Sequence, residues 1–116
     1  MNIAVFEVSR DERQELDLLG RTLPVSLRLI EERLTPETVH LAEGAEGVSI
    51  LGRSVVDGSL LENLKDLGVR FLSTRTIGVD HIDVAAARAF GLRVSHAAYP
   101  PDAVADFTIM LMLLVL

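Results

Sequence analysis

Short apolar runs recur along the chain, separated by stretches in which apolar residues fall at helical spacing. The runs cover residues 3–8, 25–30, 48–51, 69–73 and 92–95. Each is rich in β-branched residues or Leu and apolar on both sides, as strands are when both faces of a parallel sheet are buried. The stretches between them predict helices, the first over 11–20. Thr35 followed by Pro36 predicts an N-cap with proline at the first helical position, opening a short helix to about Glu43. Asp57 or Ser59 caps a helix in which Leu60, Leu61, Leu64 and Leu67 share helical spacing and Gly68 closes the end. Asp83 caps another that ends at Gly91, and a last helix starts at Pro101. Five β-α units with connections this short predict an α/β fold with a doubly wound parallel sheet, helices on both faces and ligands outside the carboxyl ends of the strands.

The last helix breaks the pattern. In residues 107–116, FTIMLMLLVL, Thr108 is the only polar side chain. Fourteen residues from Ala103 to Leu116, interrupted by Asp106, fall short of the roughly 20 that span a bilayer. An ordinary terminal helix keeps one face wet, whereas here apolar residues lie on all sides of the axis. With no Gly, basic residue or polar turn at its end, the helix is expected to be covered by chain that follows it or by a partner. The 116 residues then form the front part of a larger fold.

Charge and composition exclude several partners. The net charge is −6 and the 11 Lys and Arg residues form no block, which argues against nucleic acid or an anionic membrane surface. The absence of cysteine excludes disulfides and thiolate metal sites and fits a cytoplasmic location. The N-terminus, MNIAVFEVSRDE, turns acidic after a very short apolar run, unlike a signal peptide.

Candidate chemistry concentrates in two segments. STRTIGVDHID, residues 73–83, leaves the fourth strand, crosses Gly78 and re-enters helix at Asp83. Gly78 lets a ligand approach the main chain, and the amides of Ile77 and Gly78 can converge on a small carboxylate; a glycine serving only a turn is the alternative. In AAYPPDAVADFTIMLMLL, residues 97–114, Pro100 and Pro101 hold Tyr99 extended at the same sheet edge, where its hydroxyl can meet a polar substrate or its ring can cover the edge. Asp80, Asp83 and Asp106 read as caps and first-turn carboxylates, and Arg75 as one half of a structural ion pair, the alternative being a positive bias on the loop it precedes. His40, His81 and His96 have structural or solvated roles, with His81 stabilising the loop through a hydrogen bond.

Together these segments resemble the D-isomer-specific 2-hydroxyacid dehydrogenases, and most of all the D-lactate dehydrogenases of the type found in vancomycin-resistance clusters. The likeness is strongest over 64–116 and weak before Val48. It implies the flavodoxin-like substrate domain of a formate/glycerate-dehydrogenase-type fold. Residues 1–100 would be its N-terminal part, and 101–116 the start of a helix leading to an NAD-binding domain.

The resemblance also implies residue roles. The Ile77 and Gly78 amides would hold the carboxylate of a 2-oxo acid, Tyr99 would line the pocket, Arg53 would face the substrate, and Val104 would lie beside the nicotinamide. Hydride would pass from NADH to pyruvate or a related 2-oxo acid. The catalytic arginine, glutamate and histidine, and the Gly-rich phosphate turn, have no counterpart in these residues, so no catalytic residue and no metal ligand is assigned. The isolated chain is expected to be inactive, and the full-length protein to be a homodimer. Pro100 departs from the family's serine, removing a side-chain cap worth about 1 kcal/mol.

Two rival readings belong to other classes. One is a stand-alone receiver or flavodoxin-like module, against which stand LGRS after the third strand, with no carboxylate, and EVSRDE after the first, with no phosphate loop. The other is a truncated relative kept for dimerisation or regulation.

Overall fold

A computed structural model describes residues 1–98 and 102–115. Its strands are β1 (Asn2–Val5), β2 (Ser26–Leu29), β3 (Gly47–Ile50), β4 (Phe71–Thr74) and β5 (Arg93–His96). All pairings are parallel, in the order β2-β1-β3-β4-β5. This is the flavodoxin-like order, in which the winding reverses between β1 and β3. The helices are α1 (Arg10–Thr22), α2 (Gly58–Asp66), α3 (Val84–Ala89) and α4 (Asp102–Leu114), with a 3₁₀ turn at Val39–Ala42.

Strand alternation sorts the side chains into two faces. Ala4, Val48, Ile50 and Leu72 meet Leu60, Leu61 and Leu64 of α2, Ala87 of α3 and Ala42 of the 3₁₀ turn in one buried cluster. Ile3, Val5, Ser49 and Phe71 face the other way, toward α1. No residue of α1 is buried, and an apolar cleft of about 300 Å³ stays open between it and the sheet.

Local chemistry sets the element ends. Asp57 accepts a hydrogen bond from Leu60 N at 2.9 Å and Asp83 accepts one from Ala86 N at 3.0 Å, capping α2 and α3. Gly68 and Gly91 follow these helices with φ of 90° and 79°, a left-handed conformation that costs glycine little. The first helix runs two residues past its expected end at Gly20. A Cβ at Gly20 would stand 3.7 Å from the Leu27 side chain, an ordinary van der Waals contact, so the helix passes through this glycine instead of ending at it.

The helix expected from Thr35 is not an α-helix. The segment makes a turn and then the 3₁₀ turn, with Thr38 in the cap position. The physical reason lies in the two threonines. Thr38 Oγ1 accepts from Thr35 N at 2.9 Å and donates to Arg33 O at 2.7 Å, giving the backbone local partners that compete with a helical ladder. Arg28 then closes the 3₁₀ turn by donating to the carbonyls of Leu41 and Glu43.

The last helix is apolar and exposed: Phe107 is 56% accessible and Val115 86%. No helix among the described residues is long and apolar enough to cross a membrane.

Burial separates two leucine truncations. Leu64 is fully buried and Leu18 is 58% exposed. Leu64→Ala should cost about 3 kcal/mol, and Leu18→Ala no more than about 0.5 kcal/mol, as read from chemical denaturation midpoints.

Candidate active site

In this topology the first place to look for a ligand is the crevice between the loops that follow β1 and β3. Here a side chain fills it. Glu7 is only 3% exposed, and its backbone adopts a φ of 57°, uncommon for a residue with a Cβ. Its Oε2 accepts from Leu51 N at 2.7 Å and from Ser54 Oγ at 2.8 Å, while Oε1 accepts from Arg53 N at 3.1 Å. Arg53 Nε lies 3.4 Å from the same Oε1. Ser54 Oγ in turn accepts from Leu34 N at 2.9 Å. The amides that would greet an anionic ligand at the switch point are thus already bound to the protein's own carboxylate.

The apolar run predicts a strand over 3–8 that includes Glu7. The strand ends at Val5 instead, and the chain then bonds alternately to its neighbours, Phe6 N to Ser49 O and Val8 N to Ile30 O. A single charge embedded in an apolar run was the available signal.

Arg75 secures the next loop. Its guanidinium donates to Glu12 Oε1 at 3.0 Å, Ser49 Oγ at 2.9 Å, Phe6 O at 2.9 Å and Glu7 O at 3.3 Å. The structural ion pair expected of Arg75 is present, with Glu12 as its partner. Glu12 also completes a capping box with Ser9, the S-x-x-E spacing that marks the start of α1. Burial alone would raise the Glu12 pKa, but the hydrogen bond from Arg75, the Ser9 amide and the Arg75 charge together hold it below its ordinary value of 4.5.

Beyond Arg75 the chain forms the loop through Ile77 and Gly78, both exposed. Beneath it runs a chain of hydroxyls. Thr76 Oγ1 donates to Gly78 O at 2.7 Å, which leaves it to accept from Thr74 Oγ1 at 2.7 Å, and Thr74 Oγ1 then accepts from His81 Nε2 at 3.0 Å. His81 therefore carries its proton on Nε2 and stabilises the loop. Among the described residues, neither Ile77 N nor Gly78 N donates a hydrogen bond. Gly78 has no left-handed φ, and a Cβ there would meet nothing within 4 Å. The fold alone does not demand glycine at this position.

The loops after β3 and β4 are neighbours. Val56 N donates to His81 O at 2.8 Å and Asp83 N to Val56 O at 2.9 Å, and a Cβ on Gly52 would stand 3.9 Å from the Thr76 methyl. The main chain of Arg53 is thereby set beside the 76–78 loop. Its exposed side chain lies against Glu7 and lines a cleft of about 250 Å³ shared with Arg33, Thr35 and Pro36. His40 and His96 are exposed. Tyr99, Pro100, Pro101 and the Val104 side chain lie outside the described residues.

Residues 3–110 match the model of the D-isomer-specific 2-hydroxyacid dehydrogenase catalytic domain. The chain belongs to that family. It is 38% identical over 114 residues to an aromatic 2-oxoacid reductase of Clostridium sporogenes, covering 97% of this chain and 34% of that protein. It is 36% identical to a D-specific alpha-keto acid dehydrogenase of Enterococcus faecalis, covering 98% of this chain and 35% of that one. The apo structure of D-lactate dehydrogenase from Escherichia coli superposes with a TM-score of 0.88 at 31% identity, over 97% of this chain and 37% of that one. The chain thus spans about a third of the length of these relatives. The fold is the substrate-domain fold of D-2-hydroxyacid dehydrogenases.

The Glu12–Arg75 pair has a pH signature. A carboxylate whose pKa is lowered by folding adds stability above its unfolded value, and that contribution is lost as pH falls through the folded pKa. Stability should therefore drop on acidification below 4.5, and Glu12→Gln should flatten that drop while lowering stability at neutral pH, as read from urea midpoints across the acid range.

Proposed function

We propose that this chain is the N-terminal part of the substrate domain of a D-2-hydroxyacid dehydrogenase that reduces pyruvate or a related 2-oxo acid with NADH. Family membership and the names of the relatives support the reaction class. The observation that carries the site assignment is the pair of exposed amides at Ile77 and Gly78, without partners among the described residues and held over the hydroxyl chain of Thr74 and Thr76. Two adjacent unpaired N–H groups at a sheet's carboxyl edge suit a substrate carboxylate, because charge-assisted hydrogen bonds are stronger than neutral ones. Tyr99 completes the pocket and Arg53 borders it. Residues 1–100 form the substrate-domain part, and 101–116 begin the helix that leads to the nucleotide domain, with Val104 beside the nicotinamide.

The described residues do not fit the phosphates of NAD. The switch-point crevice holds the Glu7 carboxylate, which repels a pyrophosphate, and the turn EVSR after β1 contains no glycine. NADH, which supplies the hydride, is therefore held mainly by segments outside these 116 residues. This chain binds and orients the 2-oxo acid and is assigned no hydride- or proton-transferring residue. The complete protein is a cytoplasmic homodimer, and residues 1–116 alone have no dehydrogenase activity.

The test is NADH oxidation by the protein that carries this chain, against pyruvate and a panel of larger 2-oxo acids, with the product's configuration determined. D-2-hydroxy acid formation is expected; no turnover on any of them contradicts the proposal. Gly78→Ala should leave the unfolding midpoint unchanged, since the added methyl meets no atom, yet raise KM for the 2-oxo acid about tenfold by crowding its carboxylate.

A further inference from the structure

Glu7 is the only charged residue buried among those described, and nothing in the binding site proposed above uses it. Its placement is unfavourable twice over, in a left-handed backbone and in a carboxylate taken out of water. What this arrangement secures is specific. The carboxylate grips Leu51 N, Arg53 N and Ser54 Oγ of the loop after β3. The carbonyl of the same residue accepts from Arg75, which directly precedes the 76–78 loop. One residue thus touches, or touches through Arg75, both loops that border the proposed carboxylate site.

We propose that Glu7 is a positioning residue for 2-oxo acid binding: as an internal anion at the β1–β3 switch point, it sets the spacing between the Arg53 loop and the Ile77–Gly78 loop. The inference rests on the function proposed above. A 2-oxo acid offers few atoms for recognition, so small displacements of the groups that hold it weigh heavily on binding. The NADH contacts lie mainly elsewhere and should be unaffected.

Two variants in the complete enzyme separate this role from a purely architectural one. Glu7→Gln keeps the side chain's size but turns an amide donor toward groups that are themselves donors. Glu7→Gly removes the brace while relieving the left-handed backbone, so it should fold even if the first variant does not. In each folded variant, KM for the preferred 2-oxo acid should rise about tenfold while KM for NADH stays within about twofold. An unchanged KM for the 2-oxo acid in a folded variant overturns the proposal, whatever happens to kcat or the thermal midpoint. Failure of both variants to fold also overturns it, because the carboxylate then serves the fold. Wild-type enzyme that reduces no 2-oxo acid would instead refute the underlying functional assignment, so the two failures are told apart in the same assay.

Discussion

A carboxylate removed from water must find donors, and the way Glu7 finds them organises the carboxyl edge of this sheet. Its oxygens draw in two amides and a hydroxyl from the loop after β3, more than forty residues away in sequence. Breaking such an arrangement from one side leaves buried donors or a buried charge unmatched, which is why it constrains geometry more tightly than its net contribution to stability suggests. The switch point, where this topology ordinarily receives a ligand, is closed by the protein itself. The open donors lie one strand further along, in the loop after β4.

That loop is fixed from both sides. Before it, Arg75 spreads its guanidinium over Glu12, Ser49 and the carbonyls of Phe6 and Glu7. Within it, the hydroxyls of Thr74 and Thr76 and the ring of His81 hold the Gly78 carbonyl, and Thr76 O receives Ala97 N at 2.9 Å. The main chain is therefore held in place by groups that do not contact the proposed substrate. Preorganisation of this kind lets two amides recognise a small anion without losing affinity to loop ordering.

How much of this could be read from the sequence depended on how far apart the interacting groups lie. The sheet and most helices were legible because their cues are local: buried parallel strands read as apolar runs, and Asp57, Gly68, Asp83 and Gly91 punctuate their own helices. Thr35 and Pro36 misled because the same pair opens a helix or a turn, and Thr38 decided in favour of the turn. The position of Ile77 and Gly78 at a strand's carboxyl end was legible, and so was the structural use of Arg75 and His81. The closing of the crevice by Glu7 was not, since a φ of 57° leaves no trace in composition and its partners lie at 51–54. For the same reason the contact of the Arg53 side chain with Glu7 was not legible.

The proposed arrangement has the amides of Ile77 and Gly78 receive the substrate carboxylate while Glu7 keeps the switch point closed. Its most direct test is a crystal structure of the complete protein with oxamate, an unreactive isostere of pyruvate. A carboxylate oxygen is expected about 3 Å from each of the two amide nitrogens, with the Glu7 contacts to Leu51 and Arg53 unchanged. Oxamate seated at the β1–β3 crevice with Glu7 displaced, or bound with both amides facing solvent, would contradict it.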